Sequence, residues 1–194
     1  MGAGMNELRG LSCAHVLRGA DWDVHAESPV WLWRGETENL KAGHTLRAFD
    51  TTGSGASDDY GFDDAVSFTV DAAWTAAESS SLRQFRITDV GEDEERLSAI
   101  TGRGVMDGDV RGVNMEYGVW YCDYLINVDY PGSYDGDSGS LWCSADGRGV
   151  AIHARGGEDY ANKGSRLSAA MSVTRILKKF GVSASQLRVA PRSS

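Results

Sequence analysis

The chain has 194 residues, enough for one domain or for two small halves that share a fold. Acidic residues outnumber basic ones 28 to 19, and a formal charge of −9 sets the long-range field against nucleic acid and anionic membranes as principal partners. A composition 41% apolar and 24% charged, with 24 glycines, is that of a folded, turn-rich chain and excludes a disordered one.

Short apolar or alternating runs recur along the chain, bounded by Gly, Asp, Ser and Asn. In order they are Val30–Trp33, Leu46–Phe49, Ala65–Val70, Leu82–Ile87, Gly118–Val128, Leu141–Cys143 and Val150–His153. Each is strand-length and rich in β-branched or aromatic residues, so strands are expected. Thr51–Asp59 reads as an exposed loop. Gly102–Gly112 is glycine-rich but lacks the Lys-Ser/Thr ending of a phosphate cradle, and is expected to form a hairpin with turns. One helix is expected near the end, where Val173, Ile176, Leu177 and Phe180 fall on one face. Ser168 or Ser172 would cap it, Lys178 and Lys179 suit its last turn, and Gly181 would stop it. Residues 186–194 carry no apolar period and are expected to be a flexible tail. No apolar run reaches the ~18 residues of a membrane-crossing helix, and Met1–Arg9 has no apolar core of a leader.

The three cysteines, Cys13, Cys122 and Cys143, form no complete disulfide framework. A Cys122–Cys143 bond and three reduced thiols are both compatible with the sequence. His25 and His44 have no companion at metal spacing, Cys13-x-His15 lacks a second ligand pair, and Asp129, Asp135 and Asp137 do not match a calcium loop. No metal site is expected.

The most informative stretch is Gly136-Asp-Ser-Gly-Ser140, with Val150-Ala-Ile-His-Ala-Arg-Gly-Gly157 beyond it. A serine hydroxyl attacks only when a base takes its proton and donors hold the oxyanion. Glycines beside Ser138 permit a sharp turn, so that the amides of Gly136 and Ser138 can face one pocket. His15 follows a small apolar run, and Asp63-Asp64 opens the run Ala65–Val70. The order His, Asp, Ser differs from that of subtilisins and α/β-hydrolases.

In these motifs the chain resembles the trypsin/chymotrypsin-like serine proteases of microbes and viruses. Ser12-Cys-Ala-His15 is similar to the family's Thr-Ala-Ala-His, Asp64-Ala-Val-Ser-Phe68 to its Asp-Ile-Ala-Leu-Leu, and Gly136–Ser140 to its Gly-Asp-Ser-Gly-Gly. Ile100–Gly104 is similar to the strand that opens the second half. The resemblance implies an all-β fold of two antiparallel barrels with a C-terminal helix. It divides the chain into residues 1–85, residues 86–185 and the tail. Only 14 residues precede His15, so the first barrel is expected to be incomplete.

The resemblance also implies roles. His15 is the general base and then acid, Asp64 rather than Asp63 orients it, and Ser138 is the nucleophile. The Gly136 and Ser138 amides form the oxyanion hole. The substrate is a protein or peptide, and no metal or organic cofactor is required. Asp137 has no Ile-Val-Gly-Gly-like start to pair with and must be satisfied otherwise. Gly132 stands where trypsins carry an aspartate, which argues against a Lys/Arg preference. Ser133 and His153 fall where glutamyl endopeptidases place a hydroxyl and a histidine, which implies a preference for an acidic residue before the cut. The alternative is an inactive protease-fold module that binds a peptide or partner protein.

Overall fold

The computed structural model describes residues 9–17, 27, 29–34, 38–50, 64–70, 83–84, 86–91, 95–117, 120–156, 166–183 and 188–189. Two groups of strands follow the two halves of the sequence. In the first, β1 (Arg9–Ser12), β2 (Pro29–Arg34), β3 (Glu38–Asp50) and β4 (Asp64–Thr69) form an antiparallel sheet ordered β1-β4-β3-β2. In the second, β6 (Arg96–Thr101), β7 (Gly104–Tyr117), β8 (Trp120–Val128), β9 (Leu141–Ser144), β10 (Gly149–Gly156) and β11 (Leu167–Ser172) close a barrel, ordered β10-β11-β8-β7-β6-β9. The second half is thus a complete six-stranded barrel. Among the described residues the first half is a four-stranded sheet. The loop expected at Thr51–Asp59 and the residue His25 lie outside the described residues.

Alternation explains the barrel interior. Leu97 and Ala99 of β6, Tyr124, Ile126 and Val128 of β8, and Trp142 of β9 turn inward with Val110 and Val150. Strands β10 and β11 are buried on both faces. Ile152, Ala154, Ala169 and Met171 point away from the barrel interior and form a second cluster. That cluster takes in Cys13 and Ala65 from the first half and Val173, Ile176 and Leu177 from the helix α1 (Val173–Phe180). It is the apolar seam between the halves, and the site described below lies at its edge.

Of the two caps expected for α1, Ser172 serves: its side chain accepts from the Arg175 N–H at 3.2 Å. Gly181 ends the helix in the left-handed conformation, φ 70°. The buried carboxylate of Asp123 on β8 receives the Ser172 amide at 2.7 Å and the Arg175 guanidinium at 2.8–2.9 Å, and so fastens the helix to the barrel.

Several elements depart from the sequence pattern. The glycine-rich stretch after Gly102 does turn at Gly102-Arg103, but Gly104–Tyr117 then runs on as one 14-residue strand. Its glycines permit close strand contact: a Cβ on Gly108 would meet the Asn127 carbonyl at 2.7 Å. Strand β11 was not expected, because Leu167–Ser172 is made mostly of small residues. The tail expected over 186–194 is partly paired, since β12 (Arg188–Val189) joins β5 (Arg83–Gln84). Backbone hydrogen bonds make that pairing, and no side-chain pattern announces it. None of the three cysteines is in a disulfide, so the Cys122–Cys143 bond is not formed.

Candidate active site

Strand β1 ends at Ser12, paired with Val66 of β4. The chain then passes Cys13 into a short 3-10 helix, Ala14–Leu17, which carries His15 opposite the start of β4. Asp64, the first residue of β4, is 0% exposed and accepts twice from His15. Its Oδ1 takes the His15 backbone N–H at 2.8 Å, and its Oδ2 takes the ring Nδ1–H at 2.5 Å. A proton held on Nδ1 leaves the lone pair on Nε2, and the His15 side chain is 26% exposed. The pair therefore fixes the orientation of the ring and the tautomer that leaves Nε2 unprotonated.

Ser138 lies on the loop between β8 and β9. That loop is fixed to β10 by a bond from Gly139 N–H to the His153 carbonyl and by another from His153 N–H to the Ser140 carbonyl, each 2.8 Å. It presses on the end of β1: a Cβ on Gly139, where φ is 91°, would lie 2.9 Å from Ser12 Oγ. The turn that holds Ser138 thus abuts the segment leading to His15. The Ser138 hydroxyl donates to the Ala154 carbonyl at 3.1 Å and makes no bond to His15. Gly136 adopts φ 93°, and neither its amide nor that of Ser138 meets an acceptor among the described residues. Two free amides flanking a half-buried hydroxyl suit a developing oxyanion.

No family model matches the chain, and no curated protein does. Solved structures do match its shape. Protease A of Thermobifida fusca aligns with a TM-score of 0.57 at 12% identity, over 96% of this chain and 87% of that one. A glutamic acid specific serine protease, described as using a histidine triad in substrate binding, aligns at 0.55 and 14%, over 89% of this chain and 84% of that one. The HtrA-type protease AlgW, solved with a decapeptide, aligns at 0.55 and 14%, over 89% of this chain but only 47% of its own. The chain therefore spans about half of AlgW. The fold is that of the trypsin-like serine proteases.

Within this trypsin-like fold, Asp137 has a partner that sequence reasoning did not supply. Its buried carboxylate accepts the Tyr134 N–H at 2.8 Å and the Arg103 guanidinium at 2.5 Å. Arg103 stands at the β6–β7 turn and lies over the Tyr134 ring, 4.2 Å from its centroid. An internal arginine satisfies the residue before Ser138. The only sequence signal is a basic residue between two glycines, Gly102 and Gly104, a pattern that equally suits a hairpin turn.

Gly132 and Ser133 are buried ahead of Ser138, with Gly132 at φ 94°. His153 is 1% exposed on β10, beside the loop that bears Ser138. Burial pushes its pKa down to about 4; the charge of Asp137 opposes that shift and His15 adds to it. Its Nδ1 lies 2.6 Å from Ser168 Oγ, and its ring meets Trp142 edge-on.

Cys13 Sγ, a ring nitrogen of His15 and an Asp64 oxygen lie within 4.8 Å of one another, a spacing that could hold a metal ion. The chemistry of these donors does not fit one. Burial, then the nearby Asp64 charge, raises the Cys13 thiol well above its ordinary pKa, and it donates to the His153 carbonyl at 3.2 Å. Both Asp64 oxygens are engaged by His15. The cluster is a hydrogen-bonded support in which Cys13 ties the His15 segment to β10.

Proposed function

We propose that the chain is a serine endopeptidase. The observation that carries this is the double hydrogen bond from His15 to a fully buried Asp64. A carboxylate sealed against the Nδ1 side of an imidazole sets its tautomer and stabilises the imidazolium that proton transfer creates. The Ser138 hydroxyl leaves the Ala154 carbonyl by rotation about χ1 and gives its proton to His15 Nε2 as Oγ attacks the peptide carbonyl. The amides of Gly136 and Ser138 receive the oxyanion. His15 returns the proton to the departing amine, an acyl-enzyme remains on Ser138, and water, activated by the same histidine, releases the acid.

Specificity belongs to the same proposal. A glutamate or aspartate before the cut would meet the pocket bounded by Gly132, Ser133 and His153. The structural match to a glutamic acid specific protease supports that choice at the level of fold.

The orientation of Ser138 toward Ala154 favours a second reading, an inactive module that binds peptides. A fluorophosphonate probe separates the two. The active reading expects one adduct, on Ser138, with Ser138→Ala unlabelled and His15→Ala labelled at least 10³-fold more slowly, on the order of the loss seen when a triad member is removed. Absence of labelling in a folded protein, or equal labelling of His15→Ala, overturns it in favour of the module.

A further inference from the structure

We propose that Trp142 and Ser168 form a hydrogen-bond relay that fixes His153 as an Nε2–H donor, so that the pocket before the cut reads an acceptor oxygen rather than a negative charge. This rests on the reading above that His153 lines that pocket. The relay itself follows from three fully buried side chains.

The indole of Trp142 can only donate, and its Nε1–H points at Ser168 Oγ, 3.2 Å away. The Ser168 hydroxyl must in turn place its own proton. Among the described residues its one other partner is His153 Nδ1, at 2.6 Å. At 0% exposure Ser168 has no recourse to bulk water. Nδ1 therefore accepts, and the single proton of a neutral imidazole resides on Nε2. A proton on Nδ1 would set donor against donor and strand the serine hydroxyl.

Burial acts in the same direction, lowering the pKa of His153 to about 4, so the ring is neutral near pH 7. The edge-on contact with Trp142, with 6.5 Å between centroids at 68°, holds the ring plane. Nε2 has no partner among the described residues. What the pocket receives from His153 is one directed, uncharged N–H.

Such a donor bonds a carboxylate oxygen and an amide oxygen alike. A charged acceptor makes a hydrogen bond roughly twice as strong as a neutral one. Glutamine before the cut should therefore be cleaved within about tenfold of glutamate, with leucine and lysine far below both.

The first test is the imidazole ¹⁵N spectrum of the labelled parent protein at neutral pH, which needs neither activity nor a variant. The expected result is a single His153 tautomer, unprotonated at Nδ1 and protonated at Nε2. Ser168→Ala should mix the two tautomers and raise KM for glutamate and glutamine peptides together by about tenfold, while Ser168→Thr, which keeps the hydroxyl, restores both. A parent ring protonated at Nδ1 or at both nitrogens, or a Ser168→Ala spectrum like the parent's, overturns the relay. The Nε2–H tautomer combined with glutamine cleavage more than a hundredfold below glutamate overturns recognition of a neutral acceptor. The same tautomer with neither peptide cleaved better than leucine overturns the placement of His153 in the pocket, and that failure leaves the relay standing.

Discussion

Replacing Arg103 with methionine removes a charge and its donors while keeping a stem of similar length against Tyr134. The outcome depends on which end of the Arg103–Asp137 pair governs it, because the guanidinium side chain is 50% exposed and the carboxylate 5%. If the exposed end dominates, the pair is a surface ion pair worth about 0–1 kcal/mol. If the buried end dominates, the variant leaves a carboxylate inside the protein with only the Tyr134 N–H to meet it. A hydrogen bond to a charged group contributes about 1.5–3 kcal/mol, and the contact over the Tyr134 ring roughly 0.5–1 more. The buried end decides, because desolvation is incurred where the charge sits, and the expected loss is roughly 2–4 kcal/mol. For a chain of this size that is a fall in Tm of roughly 5–15 °C. Thermal unfolding followed by circular dichroism reads it directly. The double variant Arg103→Met with Asp137→Asn should recover part of the loss, because no charge is then left unpaired. The amides of Gly136 and Ser138 flank Asp137, so fluorophosphonate labelling should slow in the single variant even where it is fully folded. A shift below about 2 °C with unchanged labelling would refute the role given to the buried carboxylate.

Two further outcomes follow from titration. His153 has a pKa near 4 when folded and about 6.5 when unfolded, so the unfolded chain binds the extra proton between those values. The stability linked to neutral His153 is complete above about pH 6.5 and is lost as pH falls toward about 4, by roughly 3 kcal/mol at most. Urea unfolding of the parent and of His153→Gln across that window should show a pH-dependent difference between them, and parallel curves would contradict it. The thiols should react in order of access: Cys143 is partly exposed, whereas Cys13 is raised well above the ordinary range and Cys122 to about 12, each chiefly by burial. Iodoacetamide at about pH 8 should modify Cys143 first and the other two only on unfolding; mass spectrometry showing early Cys13 adducts would contradict its sealed position.

Much of the architecture was legible because it rests on local alternation. Ala65–Val70 and Val150–His153 declare strands by their own side chains, and Val173, Ile176, Leu177 and Phe180 declare one helix face. Strand β11 was not legible, since its small residues fit only because α1 and β10 crowd against it. Of the candidate site, the motif residues His15, Asp64 and Ser138 could be named from their order. Cys13 carries no signal beyond a ligand pair that lacks its second half, and Ser168 none beyond one of two cap positions, although one braces the His15 segment and the other bonds His153.

By itself the sequence determined the strand-rich character, the helix with its stop at Gly181, and the residue types able to activate a serine. These depend on neighbours a few positions apart, whose periodicity and φ preferences act before any long-range contact forms. Only the tertiary structure decided the partners: Arg103 for Asp137, Ser168 and Trp142 for His153, and the Ala154 carbonyl for the Ser138 hydroxyl. Each joins residues distant in the chain. A buried polar atom takes whatever complementary group barrel closure brings within about 3 Å, and that is a property of packing that no local pattern encodes.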